Sequence, residues 1–177
     1  SEAPEPGRAA GASNQNSYIT HMNVTGFGNA GGSGGAYYRA GGGGAGGYRN
    51  SYASETSGRN ASTEIPWIIS TGEVVTVAVG AGGAMPTGSS SSNGNRGVDS
   101  SITASGQTTV TSNGGGGGGI YTSTGTAPAG TYGSGAGAGH NDSVTPLGSD
   151  GTTGQGFDGG DMTSSAHQQG AGGGGAG

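Results

Sequence analysis

Six consecutive glycines, Gly114 to Gly119, make a stretch of backbone with no side chains, and glycine-rich blocks recur at 26–36, 41–47, 80–84, 133–139 and 170–177. Ordinary secondary structure is poorly served by such blocks. Glycine inside an α-helix costs about 1 kcal/mol relative to alanine, and a glycine strand offers no side chain to pack on its neighbours. The chain must either stay disordered or hold itself together by its main chain. With 47 glycines and six prolines in 177 residues and no simple period, the composition is that of a disordered chain. An ordered chain of this kind must replace side-chain packing with backbone hydrogen bonds and close backbone contact, because only six isoleucines, one leucine and eight valines are available to bury.

Extended glycine meets that requirement as the counterpart of the polyproline II helix, with three residues per turn, about 3.1 Å rise and no internal hydrogen bonds. At that rise Gly114 to Gly119 would span roughly 19 Å. All N–H and C=O groups of such a helix point outward, and once buried each needs a partner. Neighbouring helices can supply those partners where no side chain holds the backbones apart. The glycines expected to carry this packing are Gly41, Gly42, Gly43, Gly44, Gly46 and Gly47; Gly80, Gly82 and Gly83; and Gly114, Gly115, Gly116, Gly117, Gly118 and Gly119. A collagen triple helix is excluded, since no G-X-Y register holds and proline is scarce. The stretch GTTGQGFDGGD at 151–161 is one ragged copy of a calcium-roll repeat, not an array.

Strand signals lie between the blocks. Residues 18–27 alternate, with Tyr18, Met22 and Val24 on one face. Residues 63–70 hold Trp67, Ile68 and Ile69, and Pro66 makes this an edge or bulged strand. Thr71-Gly72 predicts a turn. Residues 73–79 are the best strand, with Val75, Val77 and Val79 on one face, and 98–104 and 107–112 are weaker ones. The fold class expected is all-β: a small β-sandwich-like strand scaffold with packed poly-glycine II helices and no α-helix. Residues 1–17, polar with Pro4 and Pro6, predict an extended N-terminal arm, and 18–177 a single glycine-rich domain.

Charge and motifs narrow the function. A net charge of −5, with five arginines and no lysine, argues against nucleic acid as a partner. No apolar run approaches 18 residues, so no membrane insertion is expected. The absence of cysteine excludes a disulfide framework. His21, His140 and His167 are dispersed, the triplet His140-Asn141-Asp142 reads as a turn, and no nucleophile elbow, zincin or phosphate-loop motif occurs. Glycine-rich phosphate loops need a following helix to orient their N–H groups, and none is predicted. The reading is therefore a protein with no catalytic residues, no cofactor and no metal. Asp150, Asp158 and Asp161 could offer hard oxygen ligands, but a solvated acidic loop explains them more simply. Three glycosylation-type triplets, at Asn23, Asn60 and Asn141, are expected by chance in a chain this rich in Asn, Ser and Thr. Tyr37, Tyr38, Tyr48, Tyr121 and Tyr132 punctuate the glycine runs, either as contact aromatics on loop tips or as caps that pack at helix ends.

The order NVTGFGNAGGSGG, GGGGAGGY at 41–48, STGEVVTVAVGAGGA at 70–84 and SSITASGQTTVTSNGGGGGG at 100–119 resembles the glycine-rich domains of bacteriophage tail-fibre and virion proteins. The resemblance covers about residues 18–140, and the valine strand running into Gly80-Ala81-Gly82-Gly83 is its most specific part. It implies strands carrying poly-glycine helices, with loops that can touch a cell-surface receptor. The expected function is a structural component of an extracellular fibre or virion appendage, located outside the cell or on the virion surface. It would assemble as a homo-oligomer or filament of identical chains. The alternative is a stand-alone adhesin or an ice-binding protein, which would be a monomer.

Overall fold

The computed structural model describes residues 40–86, 92–121, 126–163 and 169–177. The predicted arm at 1–17, the strand at 18–27 and the aromatics Tyr37 and Tyr38 lie outside the described residues.

The defining element is the segment 132–140. It donates from Gly137 to the Gly42 carbonyl and from Ser134 to the Ala45 carbonyl, both to the segment 41–47. It accepts from Gly116 and Gly119 of the segment 113–119. It donates from Gly135 to Phe157 and from Ala138 to Gly160, accepts from Ser149, and accepts from Ala171 and Gly174. One extended segment is thus hydrogen-bonded to five neighbours. A β-strand can pair with two, one on each side. The register explains the difference: Gly41, Gly44 and Gly47 all donate to the segment 113–119, while Gly42 and Ala45 donate to the segment 169–177. Bonds to one neighbour recur every third residue, so these segments are threefold helices of the poly-glycine II type, whose N–H groups radiate in three directions and whose carbonyls radiate in three more.

Chain direction within this lattice is mixed. Segment 132–140 runs parallel to 113–119 and 156–162 and antiparallel to 41–47, 146–152 and 169–177, as the rising or falling partner numbers show. Residues 114–120 and 132–141 are buried without interruption. The hydrophobic core is correspondingly small: among the described residues, the buried apolar side chains are Ala104, Ile120, Ala127, Tyr132, Ala136 and Ala138. Main chain fills the centre.

Three short strands prolong this lattice at one end. β1 (Val75–Ala78), β2 (Ser100–Ala104) and β3 (Val110–Ser112) form an antiparallel sheet in the order β1-β2-β3. β1 runs into the glycines at 80–84, β3 runs into Asn113 and the segment 113–119, and β2 is entered from residues 94–98. Those last residues bond to the lattice, Gly94 donating to Gly118 and Gly97 to Gly115. The β-branched residues thus end where glycine begins, and the backbone passes from two-neighbour to many-neighbour pairing at that boundary. The turn expected at Thr71-Gly72 is present: Glu73 donates to the Ser70 carbonyl, and Gly72 takes φ +83°, a conformation glycine adopts without strain. A second turn joins β2 to β3, with Gln107 donating to Ala104 and Gly106 at φ +72°.

The all-β expectation holds, and among the described residues the one helical element is a 3-10 turn at Gly58–Asn60. Two details differ. Residues 63–70 form no strand, since Pro66 lacks an N–H and Ile65, Ile68 and Ile69 point into solvent instead of onto the sheet. Only one sheet is present among the described residues, so no sandwich is formed within them.

Candidate functional site

Among the described residues, two surfaces stand out: the open side of the glycine lattice and the apolar sheet end.

The open side is the segment 169–177. Its Ala171 and Gly174 N–H groups bond inward to 132–140, and the carbonyls of Gly172 and Gly175 accept from 156–162. Gly172 and Gly175 are exposed, with empty space where a Cβ would stand. Their N–H groups donate to no described residue. Donors without a described partner along an extended segment resemble the template that an edge strand presents.

The predicted packing glycines sit largely where close approach is required. A Cβ on Gly41, Gly44, Gly80, Gly114, Gly115, Gly117 or Gly118 would fall closer than 3.0 Å to a neighbouring carbonyl oxygen. At Gly42 the obstacle is the Gly173 nitrogen, at Gly116 the Ala136 nitrogen, and at Gly47 the movable Gln155 side chain. Gly46 and Gly119 are buried, whereas Gly43, Gly82 and Gly83 are half-buried on the lattice rim. Lattice members at 146–152 and 156–162 escaped the sequence reading because they are diluted by Pro, Leu, Phe and Asp. Their signal is spacing: Gly148 and Gly151, and Gly156 and Gly159, lie three apart, and each would place a Cβ against a neighbour.

The tyrosines divide. Tyr48 and Tyr121 are exposed enough to meet a partner, while Tyr132 is 4% exposed and donates its hydroxyl to the Pro128 carbonyl at 2.9 Å. Tyr132 is therefore a packing residue, not a contact aromatic. Burial raises its pKa above the usual 10, with Arg96 acting weakly in the opposite sense. Tyr121 stacks on His140, with ring centroids 5.8 Å apart and planes 10° from parallel, and donates to Asp142 at 2.6 Å. His140 is fully buried, closing the end of segment 132–140. The next residue folds the chain back: Asn141 Oδ1 accepts from the N–H groups of Ser143 and Val144. That confirms the turn expected at 140–142.

Charged groups act as ties. Arg49 makes a two-pronged bond to Glu64 at 2.6 Å on each arm, and its Nη1 donates to the Thr111 carbonyl of β3. Arg59 pairs with both oxygens of Asp158 at 2.7 Å, linking the 3-10 turn to segment 156–162. Asp158 also accepts from the Gly151 N–H; this bond first, and the Arg59 guanidinium second, hold its carboxyl below the usual range. Asp161 accepts from the Gly148 N–H. These two aspartates serve the lattice main chain, and among the described residues no three acidic or histidine side chains converge to hold a metal ion.

The second surface is apolar. Nine of the fifteen exposed large apolar side chains among the described residues fall between Ile65 and Ile102, on and around the sheet. Cross-strand pairing puts Val77, Ile102 and Val110 in one row and Val75 beside Ala104, all on one face. The other face carries Thr76 with Thr103, and Ala78 with Ser101 and Thr111. Among the described residues no helix is long and apolar enough to cross a membrane.

No curated protein and no solved structure matches the chain. A family model described as a glycine-rich domain matches residues 7–177, nearly the full sequence, and the chain belongs to that glycine-rich domain family.

Proposed function

We propose that this chain is a non-enzymatic structural component of an extracellular fibre or a virion appendage, working as an assembly of identical copies, with its loops free to meet a cell-surface receptor. The observation that carries the reading is the main-chain lattice around 132–140, bonded to five neighbours, whose member 169–177 keeps the exposed Gly172 and Gly175 N–H groups without a described partner. Such a scaffold has its regular geometry in the backbone, where a catalyst would need converging side chains. N–H groups that find no partner among the described residues can recruit further segments of the same kind, and identical copies supply them as closed rings or open filaments. The resemblance to phage tail-fibre glycine-rich domains, carried by the valine strand into Gly80-Ala81-Gly82-Gly83, points the same way. Of the tyrosines expected to make contacts, Tyr48 and Tyr121 are exposed and available for a receptor, and Tyr52 is a further exposed tyrosine among the described residues.

Light scattering on the purified chain, with negative-stain microscopy, tests the reading. A stable oligomer or filament at micromolar concentration is expected. A monomer would favour a stand-alone adhesin or an ice-binding protein, and ice recrystallisation assays would then separate those two.

A further inference from the structure

We infer that the apolar face of the β1-β2-β3 sheet is completed by the same face of a second copy, so that a two-sheet sandwich forms between the two copies. The inference rests on the homo-oligomer proposed above and names a second contact surface, apart from the segment 169–177.

Three features of the sheet carry it. First, apolar side chains left exposed on one face of a sheet gain free energy when that face is taken out of water. Here Val77 is 60% exposed, Val79 just beyond β1 is 72% exposed, and Ile102, paired with Val77, is 40% exposed. Second, the apolar surface is large. Ile65, Ile68 and Ile69 flank the sheet, and the Ile68 carbonyl is tied to the β2–β3 turn by Gln107 Nε2 at 3.0 Å. Leaving out Val74, which alternates onto the opposite face, the eight other exposed apolar residues of this end present on the order of 800 Å², comparable with the ~800 Å² each partner buries in a standard interface.

Third, the surface is almost free of charge. Between Ile65 and Met85 the sole charged residue is Glu73, and β2 and β3 carry none. A partner recognised through charge, such as an anionic lipid surface, finds no complement here, whereas an identical copy meets no repulsion. The edges agree with face-to-face docking. Thr111 of β3 already receives Arg49 and Gln155 side chains, so that edge is covered. Two such sheets would pack about 10 Å apart, with Val77, Val79 and Ile102 of each copy interdigitating.

The chain has no cysteine, which makes cross-linking clean. Val77→Cys in the full chain should be joined into a covalent dimer by a short bis-maleimide, and Thr76→Cys, on the opposite face, should not. Val77→Asp and Val79→Asp should weaken self-association at least tenfold by analytical ultracentrifugation, with an unchanged circular dichroism spectrum showing that the chain still folds. Thr103→Asp should leave association unchanged. A wild-type chain that is oligomeric while Val77→Asp remains equally so overturns this inference and leaves the assembly reading standing. A monomeric wild type overturns both. A monomer whose Val77→Cys thiol becomes labelled only after residues 1–39 are removed overturns the inference in favour of the chain's own N-terminal segment.

Discussion

Gly117 lies against Gly94 so closely that a Cβ on Gly117 would stand inside 3.0 Å of the Gly94 carbonyl oxygen. The obstacle is main chain, which cannot swing aside as a side chain can. One residue later, Gly118 accepts a hydrogen bond from the Gly94 N–H at 2.9 Å. Bonding distance and the absence of a side chain are thus the same requirement, and the first expected outcome follows from it.

Gly117→Val should abolish the native fold, because a clash with backbone on a buried segment exceeds the ~1–3 kcal/mol typical of an overpacked side-chain core. Gly172→Ala, where a Cβ enters empty space, should leave the melting temperature within a few degrees of wild type. Thermal unfolding of the two variants checks this; a cooperative transition of unchanged midpoint for Gly117→Val would refute the lattice.

Ile120 is fully buried, whereas Ile65 is 91% exposed. Ile120→Ala should therefore cost about 2–5 kcal/mol and Ile65→Ala less than about 0.5 kcal/mol. Denaturant titration of both variants, read at equal m-value, measures the contrast.

Tyr132 keeps its proton to higher pH in the folded state than in the unfolded chain. Its contribution to stability is thus complete below the ordinary tyrosine pKa near 10 and is lost as pH rises through the raised folded value. Absorbance titration of tyrosinate should show one tyrosine ionising late and together with alkaline unfolding. Tyr132→Phe should remove that late step and lose the hydrogen bond to Pro128, worth about 1 kcal/mol at neutral pH.

Asp158 behaves in the opposite sense. Its folded pKa is lowered by the Gly151 N–H and by Arg59, so its contribution is present above the ordinary value of 3.8 and disappears as pH falls through the lowered folded value. Asp158→Asn should reduce the drop in melting temperature between pH 5 and pH 2. The pair is partly exposed, so the effect at neutral pH should be small and should shrink further in salt.

The circular dichroism spectrum should combine β and polyproline-II-like signals without the helical double minimum, since among the described residues only Gly58–Asn60 is helical. A helical spectrum would contradict the fold.

Sequence alone determined the local chemistry of this protein. The valine alternation at 75–79 and the Gly72 turn follow from short-range sterics, and the glycine runs exclude both α-helix and a side-chain core. The packing positions at 41–44 and 114–118 were legible for that reason: six glycines in a row have no other stable use. The tertiary structure decided everything that depends on which segment neighbours which. Threefold helices bond outward on all sides, so a run of glycine does not say whether its partner is Gly42, Ser149 or Ala171. Segments 146–152 and 156–162 enter the lattice despite Pro146, Leu147 and Phe157 because those side chains can sit at the rim or between helices, a matter of phase around the helix and not of composition. Tyr132 illustrates the same limit. Its place at the end of a glycine run was visible in the sequence, but whether it faces solvent or the Pro128 carbonyl depends on what packs beside it.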